Sequence, residues 1–136
     1  MGAKNVLAGQ VVDLTAEGLA VQVGEAVLLT PPYPFEVGTS VYLCIRPERV
    51  WLQRKDRPPR PRGNQLWGEI VGETSDGLNC SLFLKSRTSL NPVNGIADLQ
   101  IDLPVYIYER LGLSQDRTWC VSIPPATIHV IAVAEK

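Results

Sequence analysis

The sequence predicts an all-β protein made of two tandem copies of one small barrel packed together. Three observations predict it. Short apolar runs are broken by turn residues along the whole chain, the chain repeats its own pattern, and no stretch sustains the 3.6-residue period of a helix.

The repeat begins with Asn5-Val6-Leu7-Ala8-Gly9 and Asn64-Gln65-Leu66-Trp67-Gly68, both N-x-L-x-G, at an offset of 59. The same offset aligns Val11-Val12 with Ile70-Val71, and Glu17-Gly18-Leu19 with Asp76-Gly77-Leu78. At the other end the offset is 78, with Ile45, Pro47, Val50 and Leu52 lying over Ile123, Pro125, Ile128 and Val130. The second copy therefore carries about 19 extra residues, expected between its middle and final segments. The expected units are a first repeat over 4–53, a linker over 54–63 and a second repeat over 64–134.

Within each copy, alternation and turn chemistry place the strands. Glu17-Gly18, Gly24-Glu25, Ser75-Asp76-Gly77, Asn91-Pro92 and Asn94-Gly95 are the breaks. Strands are predicted near 5–13, 19–23, 26–29, 40–45 and 49–53, then near 64–72, 78–84, 99–101, 104–109, 118–122 and 127–133. A short turn at Glu109–Leu113 is the best helical candidate. About five strands per copy is the count of an OB-fold-like β-barrel. One copy alone would have a marginal core. Two copies packed together, with or without exchange of strands, bury the edges that a lone barrel exposes.

Composition narrows the function. The chain has 136 residues, 45 % hydrophobic and 20 % charged, with a net charge of −1. That is a folded protein with no general attraction to nucleic acid or an anionic membrane. Cys44, Cys80 and Cys120 sit singly in apolar runs, without metal-ligand spacing, and are expected to be buried free thiols. No apolar run approaches the roughly 18 residues needed to span a bilayer. Met1-Gly2-Ala3-Lys4 leads straight into patterned sequence, so no leader is expected, although the chain reads as a piece of something longer. No G-x-x-x-x-G-K-[ST] loop is present, and the chain is expected not to be an enzyme.

The segment Val41-Tyr42-Leu43-Cys44-Ile45-Arg46-Pro47-Glu48-Arg49-Val50-Trp51-Leu52 resembles the closing signature of the transport-associated OB domain: an apolar strand, I-R-P-E, then a second short strand. The N-x-L-x-G opening resembles that family's first strand, and the related molybdate/tungstate-binding module has the same layout. The second copy departs from the signature with Ile123-Pro124-Pro125-Ala126. The resemblance implies an accessory, regulatory C-terminal domain of an ABC importer's ATP-binding subunit. Such a domain would contact its own nucleotide-binding domain, a second copy of the subunit and, through the parent protein, the membrane permease. It would be cytoplasmic and peripheral to the inner membrane. It would hold no cofactor itself, ATP and Mg belonging to the presumed upstream domain. The alternatives are a free-standing oxyanion (molybdate, tungstate or sulfate) binding protein and a single-stranded nucleic-acid-binding OB module.

The candidate anion or partner contacts are Lys4, Asn5, Arg46, Glu48, Lys85, Ser86 and Arg87. Lys4-Asn5 offers a cation and an amide beside the first signature segment. Arg46 reads either as an anion or partner donor, or as half of an ion pair with Glu48 or Glu36 that fixes the Pro47 turn. Glu48 stands where a small hydroxyl residue would suit a dianion, since a carboxylate there is repulsive. Lys85-Ser86-Arg87-Thr88-Ser89 supplies two cations and three hydroxyls, although a solvated loop is the plainer reading. The stretch from Arg54 to Arg62, five cations with one acid and three prolines, reads as an extended linker. Nucleic-acid contact would require aromatic platforms on an exposed face. His129 is expected at the surface, and Trp51, Trp67 and Trp119 are expected to pack.

Overall fold

The structure, a computed structural model, describes residues 5–53, 64–93 and 97–133. The basic stretch 54–62 and Lys4 lie outside the described residues. Each half supplies five strands: β1 Asn5–Thr15, β2 Gly18–Val23, β3 Ala26–Leu29, β4 Ser40–Ile45 and β5 Trp51–Leu52, then β6 Asn64–Ser75, β7 Asn79–Ser86, β8 Leu99–Pro104, β9 Thr118–Ile123 and β10 His129–Ala132. One helix, α1, spans Val105–Arg110, and two 3₁₀ turns, Pro47–Arg49 and Pro125–Thr127, precede β5 and β10.

Neither sheet is built from one half alone. The first runs β10-β4-β1-β2-β3 and the second β5-β9-β6-β7-β8. The last strand of each copy has crossed to the other: Val130 stands opposite Leu43 on β4, and Leu52 opposite Val121 on β9. The proline-led turns direct this crossing. Pro47 and Pro125 each open a 3₁₀ turn after an extended residue, Arg46 or Pro124, so the chain leaves one sheet and enters the next.

The copies match in fine detail. Asn5 pairs with Ile45 as Asn64 pairs with Ile123. A bulge falls between Val11 and Asp13 on β1 and between Ile70 and Gly72 on β6, which curls both long strands at the same place. The inward faces meet in one core, including Leu7, Val21 and Leu43 from the first half and Leu66, Leu84 and Val121 from the second.

The conserved spacing of glycine in the two N-x-L-x-G segments has a steric cause. A Cβ on Gly9 would stand 2.6 Å from the Gln22 carbonyl oxygen, and one on Gly68 would stand 2.6 Å from that of Lys85. Gly9→Ala and Gly68→Ala are therefore each expected to lower stability by about 1–3 kcal/mol, the usual range for overpacking. Urea unfolding checks this, and midpoints at the wild-type value would refute the steric account.

Three sequence expectations are corrected. The offset between matched residues is 59 at Asn5/Asn64, 63 at Val21/Leu84, 71 at Leu29/Gln100 and 78 at Ile45/Ile123. The extra residues thus accrue in three steps: at the β6–β7 hairpin, between β7 and β8, and between β8 and β9. Leu78 is consequently not the counterpart of Leu19; it is 79 % exposed at the hairpin tip, whereas Leu19 is 2 % exposed. The expected strand at 104–109 is α1, which follows Pro104; six residues of mixed apolar character cannot separate a strand from a helix by period. Finally, Arg46 makes no ion pair with Glu48 or Glu36. Among the described residues the ion pair is Arg117–Glu73, at 2.6 Å.

The three insertions are structural. Residues 89–93 reach across to the first copy, where Asn91 and Pro92 lie along β1: the Ala8 N–H donates to the Asn91 carbonyl at 3.2 Å, and the Val93 N–H to that of Val6 at 2.8 Å. The extended hairpin and α1 hold each other. The Val105 N–H donates to the Leu78 carbonyl at 2.9 Å. A hydrogen bond with Tyr108, reinforced by Arg117, keeps the Glu73 carboxyl below its ordinary value; the same bond to Glu73 pushes the Tyr108 phenol up, against the pull of Arg117.

Candidate functional site

Two corners of the molecule bring the repeat signatures together, and asparagine builds both. Asn5 is 4 % exposed, and its amide grips the edge strand β8: Nδ2 donates to the Gln100 carbonyl at 2.9 Å and Oδ1 accepts from the Gln100 N–H at 2.6 Å. Asn64, 6 % exposed, grips β3 in the same way, donating to the Leu29 carbonyl at 2.9 Å and accepting from its N–H at 2.7 Å. Asn64 Nδ2 also donates to the Ile123 carbonyl at 3.1 Å. Each side chain acts as a one-residue strand that closes the other copy's free edge. The asparagine of N-x-L-x-G is thus engaged with backbone, not displayed to solvent.

Beside Asn5 at the first corner, β4 ends and the Arg46-Pro47-Glu48-Arg49 turn begins. This turn packs against β8 of the second sheet. Pro47 and Val50 are buried, whereas Arg46, Glu48 and Arg49 are exposed. The Arg49 N–H donates to the Arg46 carbonyl at 2.9 Å, closing the Pro47–Arg49 turn behind the extended Arg46. Neither arginine forms an ion pair with any described residue. The corner thus exposes two guanidinium groups, planar multi-donor forks suited to oxyanions or carboxylates, and, between them in sequence, one carboxylate.

The second corner differs. Asn64 is matched, but the turn is Pro124-Pro125-Ala126-Thr127, with no charge, and the Thr127 hydroxyl donates to the Pro124 carbonyl at 2.7 Å.

The 85–87 group is not joined to the first corner by any hydrogen bond, ion pair or ring contact between described residues. Lys85 stands opposite Glu69 across the strands. The Ser86 N–H donates to Asp98 Oδ2 at 2.9 Å, while Ser86 Oγ accepts from the Thr88 N–H at 3.2 Å. The Arg87 guanidinium lies over the Trp67 ring, 5.6 Å from its centre. The Asp98 carboxylate thus takes the Ser86 N–H, and the Trp67 indole covers one face of the Arg87 guanidinium.

Two of the tryptophans were misjudged from sequence. Trp119 is 3 % exposed and packs, but Trp51 and Trp67 are 49 % and 48 % exposed on the outer face of the second sheet. Strand parity could have found them, because each flanks inward-facing neighbours: Val50 and Leu52, or Leu66 and Gly68. His129 lies at the surface as expected, with Nδ1 3.5 Å from the Tyr33 hydroxyl. Cys80 and Cys120 are buried and Cys44 partly so; all three are free, and burial pushes the Cys44 and Cys120 thiols up, away from reactivity. No group of three metal-ligating side chains occurs among the described residues, and none of their helices is long and apolar enough to cross a membrane.

No family model matches the sequence, and no curated protein matches it. Among solved structures, the fold is similar to that of the cytoplasmic molybdate-binding protein ModG, solved with molybdate bound. The TM-score is 0.79 at 15 % identity, and the match covers 96 % of each chain. The likeness is one of fold, and it extends over both copies.

Proposed function

We propose that this chain is a free-standing binding protein for a small tetrahedral oxyanion, with its site at the first corner. The observation that supports this most is the fold likeness, over 96 % of both chains, to a protein solved with molybdate bound. The corner adds a chemical reason. Arg46 and Arg49 are exposed, lack ion-pair partners among the described residues, and sit on a turn held by buried Pro47 and Val50, so their backbone is fixed before any ligand arrives. The role is binding, not catalysis, in cytoplasm.

Calorimetric titration of the full chain with molybdate, tungstate, sulfate and phosphate tests this reading. Binding of at least one oxyanion is expected, and Arg46→Ala is expected to weaken it about tenfold or more, the scale of one hydrogen bond to a charged group. Absence of heat with every anion at millimolar concentration would refute the proposal.

A second reading, the accessory domain of an ABC importer's ATP-binding subunit, is favoured by the Ile45-Arg46-Pro47-Glu48 turn. Its exposed charges would then dock a regulator, a permease or a second subunit instead of an ion. A coding sequence upstream that contains a Walker A loop would support this reading, and one that lacks it would exclude it.

A further inference from the structure

We propose that the outer face of the second sheet binds single-stranded nucleic acid, with the Trp51 and Trp67 indoles as stacking platforms and Lys85 and Arg87 as phosphate donors. The inference does not depend on the oxyanion reading of the first corner.

Strand register puts the four side chains on one face. Trp51 on β5 stands opposite Ser122 on β9, and Ser122 stands opposite Gln65 on β6. Trp67 lies two residues beyond Gln65, opposite Cys120, so it points to the same side as Trp51. Their Cα positions are two strand spacings apart, about 10 Å, and about 7 Å apart along the strands. That is room for two separate bases, one to each ring. On β7, Lys85 stands opposite Glu69, two residues beyond Trp67, and Arg87 follows with the same parity. The Arg87 guanidinium is 5.6 Å from the Trp67 ring centre, too far to seal the ring, and the indole stays 48 % exposed.

The duplication shows that the fold does not require these residues. By matched register, His129 holds the place of Trp51, Ala8 that of Trp67, Gln22 that of Lys85 and Gly24 that of Arg87. The first sheet is complete without an indole, a lysine or an arginine at any of them. In the second sheet the two indoles leave about half of their surface in water, an arrangement suited to a flat partner.

Charge selects that partner. Lys85, Arg87 and the five cations of 54–62 are seven of the 13 Lys and Arg in a chain of net charge −1. The sequence 54–62 leaves this sheet after Gln53 and rejoins it at Asn64, so its charge is tethered to the sheet. Glu69 and Asp56 are the acids that accompany the seven cations, and a positive excess remains. A single strand answers both features, because cations draw its phosphates and every base offers a π-face to an indole. A duplex hides its bases, and a neutral glycan has no use for the cations.

The test follows the fluorescence anisotropy of labelled oligothymidylate and oligouridylate, of equal length, as the full chain is added. Binding of at least one is expected at low salt and is expected to weaken as salt rises; the tighter of the two tells DNA from RNA. Trp51→His and Trp67→Ala install the residues of the first copy, so both variants are expected to fold, which circular dichroism and urea midpoints check. Each is expected to weaken binding about tenfold, whereas Trp67→Phe keeps a platform and is expected to retain most of it. Arg87→Gln is expected to lower the slope of log affinity against log salt by about 0.7. Absence of binding to both oligonucleotides at low salt would overturn the inference, as would folded Trp51→His and Trp67→Ala variants that bind like the wild type. Retention on a neutral glucan, or self-association lost in those variants, without oligonucleotide binding would also overturn it and give the indoles to a glycan or a second copy.

Discussion

Replacing Asn64 with alanine is expected to cost about 3–6 kcal/mol, a large share of the roughly 5–15 kcal/mol that holds a domain of this size. The substitution removes three hydrogen bonds and strands their partners: the Leu29 N–H, the Leu29 carbonyl and the Ile123 carbonyl. Each unsatisfied buried group costs about 1–3 kcal/mol. Asn5→Ala is expected to cost less, about 2–4 kcal/mol, because its amide serves only the two groups of Gln100. Urea denaturation of both variants measures the difference. A loss below about 1 kcal/mol for Asn64→Ala would mean that water replaces the clamp and that the asparagines do not hold the sheets together.

Cutting the chain between the copies is expected to leave one particle. Since β5 belongs to the second sheet and β10 to the first, the halves are interlocked by paired backbone, not merely tethered. A protease site substituted within residues 55–62, cleaved after folding, should yield two peptides that migrate together by size exclusion and separate only in denaturant. Ending the chain after Ile128 should have the opposite result. It removes β10, exposes the edge of β4 and uncovers Leu43, and a loss of cooperative unfolding is expected. Cleaved halves that part under native conditions would refute the exchange.

The strands were legible because alternation reports which face of a strand is buried, and the matched positions Leu7/Leu66, Val21/Leu84 and Leu43/Val121 all point inward. The motif glycines and asparagines were legible as a repeat, but not their work. A clamp between Asn5 and Gln100 joins residues that share nothing in local pattern. The exchange of β5 and β10 was open for the same reason: Val130 alternates identically whether it lies beside Leu43 or beside Val121. The insertions were located wrongly because two acid-Gly-Leu steps, one at Gly18 and one at Gly77, coincide by chance of spacing while the second hairpin runs further. At the corner, Arg46 and Glu48 could be named from sequence, but their lack of mutual pairing depends on the folded turn. Arg49 was overlooked although it stands one turn from Arg46.

The crossed final strands bear on how such a protein depends on its own abundance. Two separate chains exchanging strands would have to meet before either could complete its sheet, so their folding would vary with concentration. Joined end to end, each finds its partner at an effective concentration in the millimolar range, however dilute the protein is. The tether also removes the need for both surfaces to stay alike. Once an identical twin is no longer required for assembly, one turn can keep Arg46, Glu48 and Arg49 while its counterpart settles on Pro124, Ala126 and Thr127. Fusion of this kind relieves a gene of symmetry, and the uneven corners of this molecule are what that freedom leaves behind.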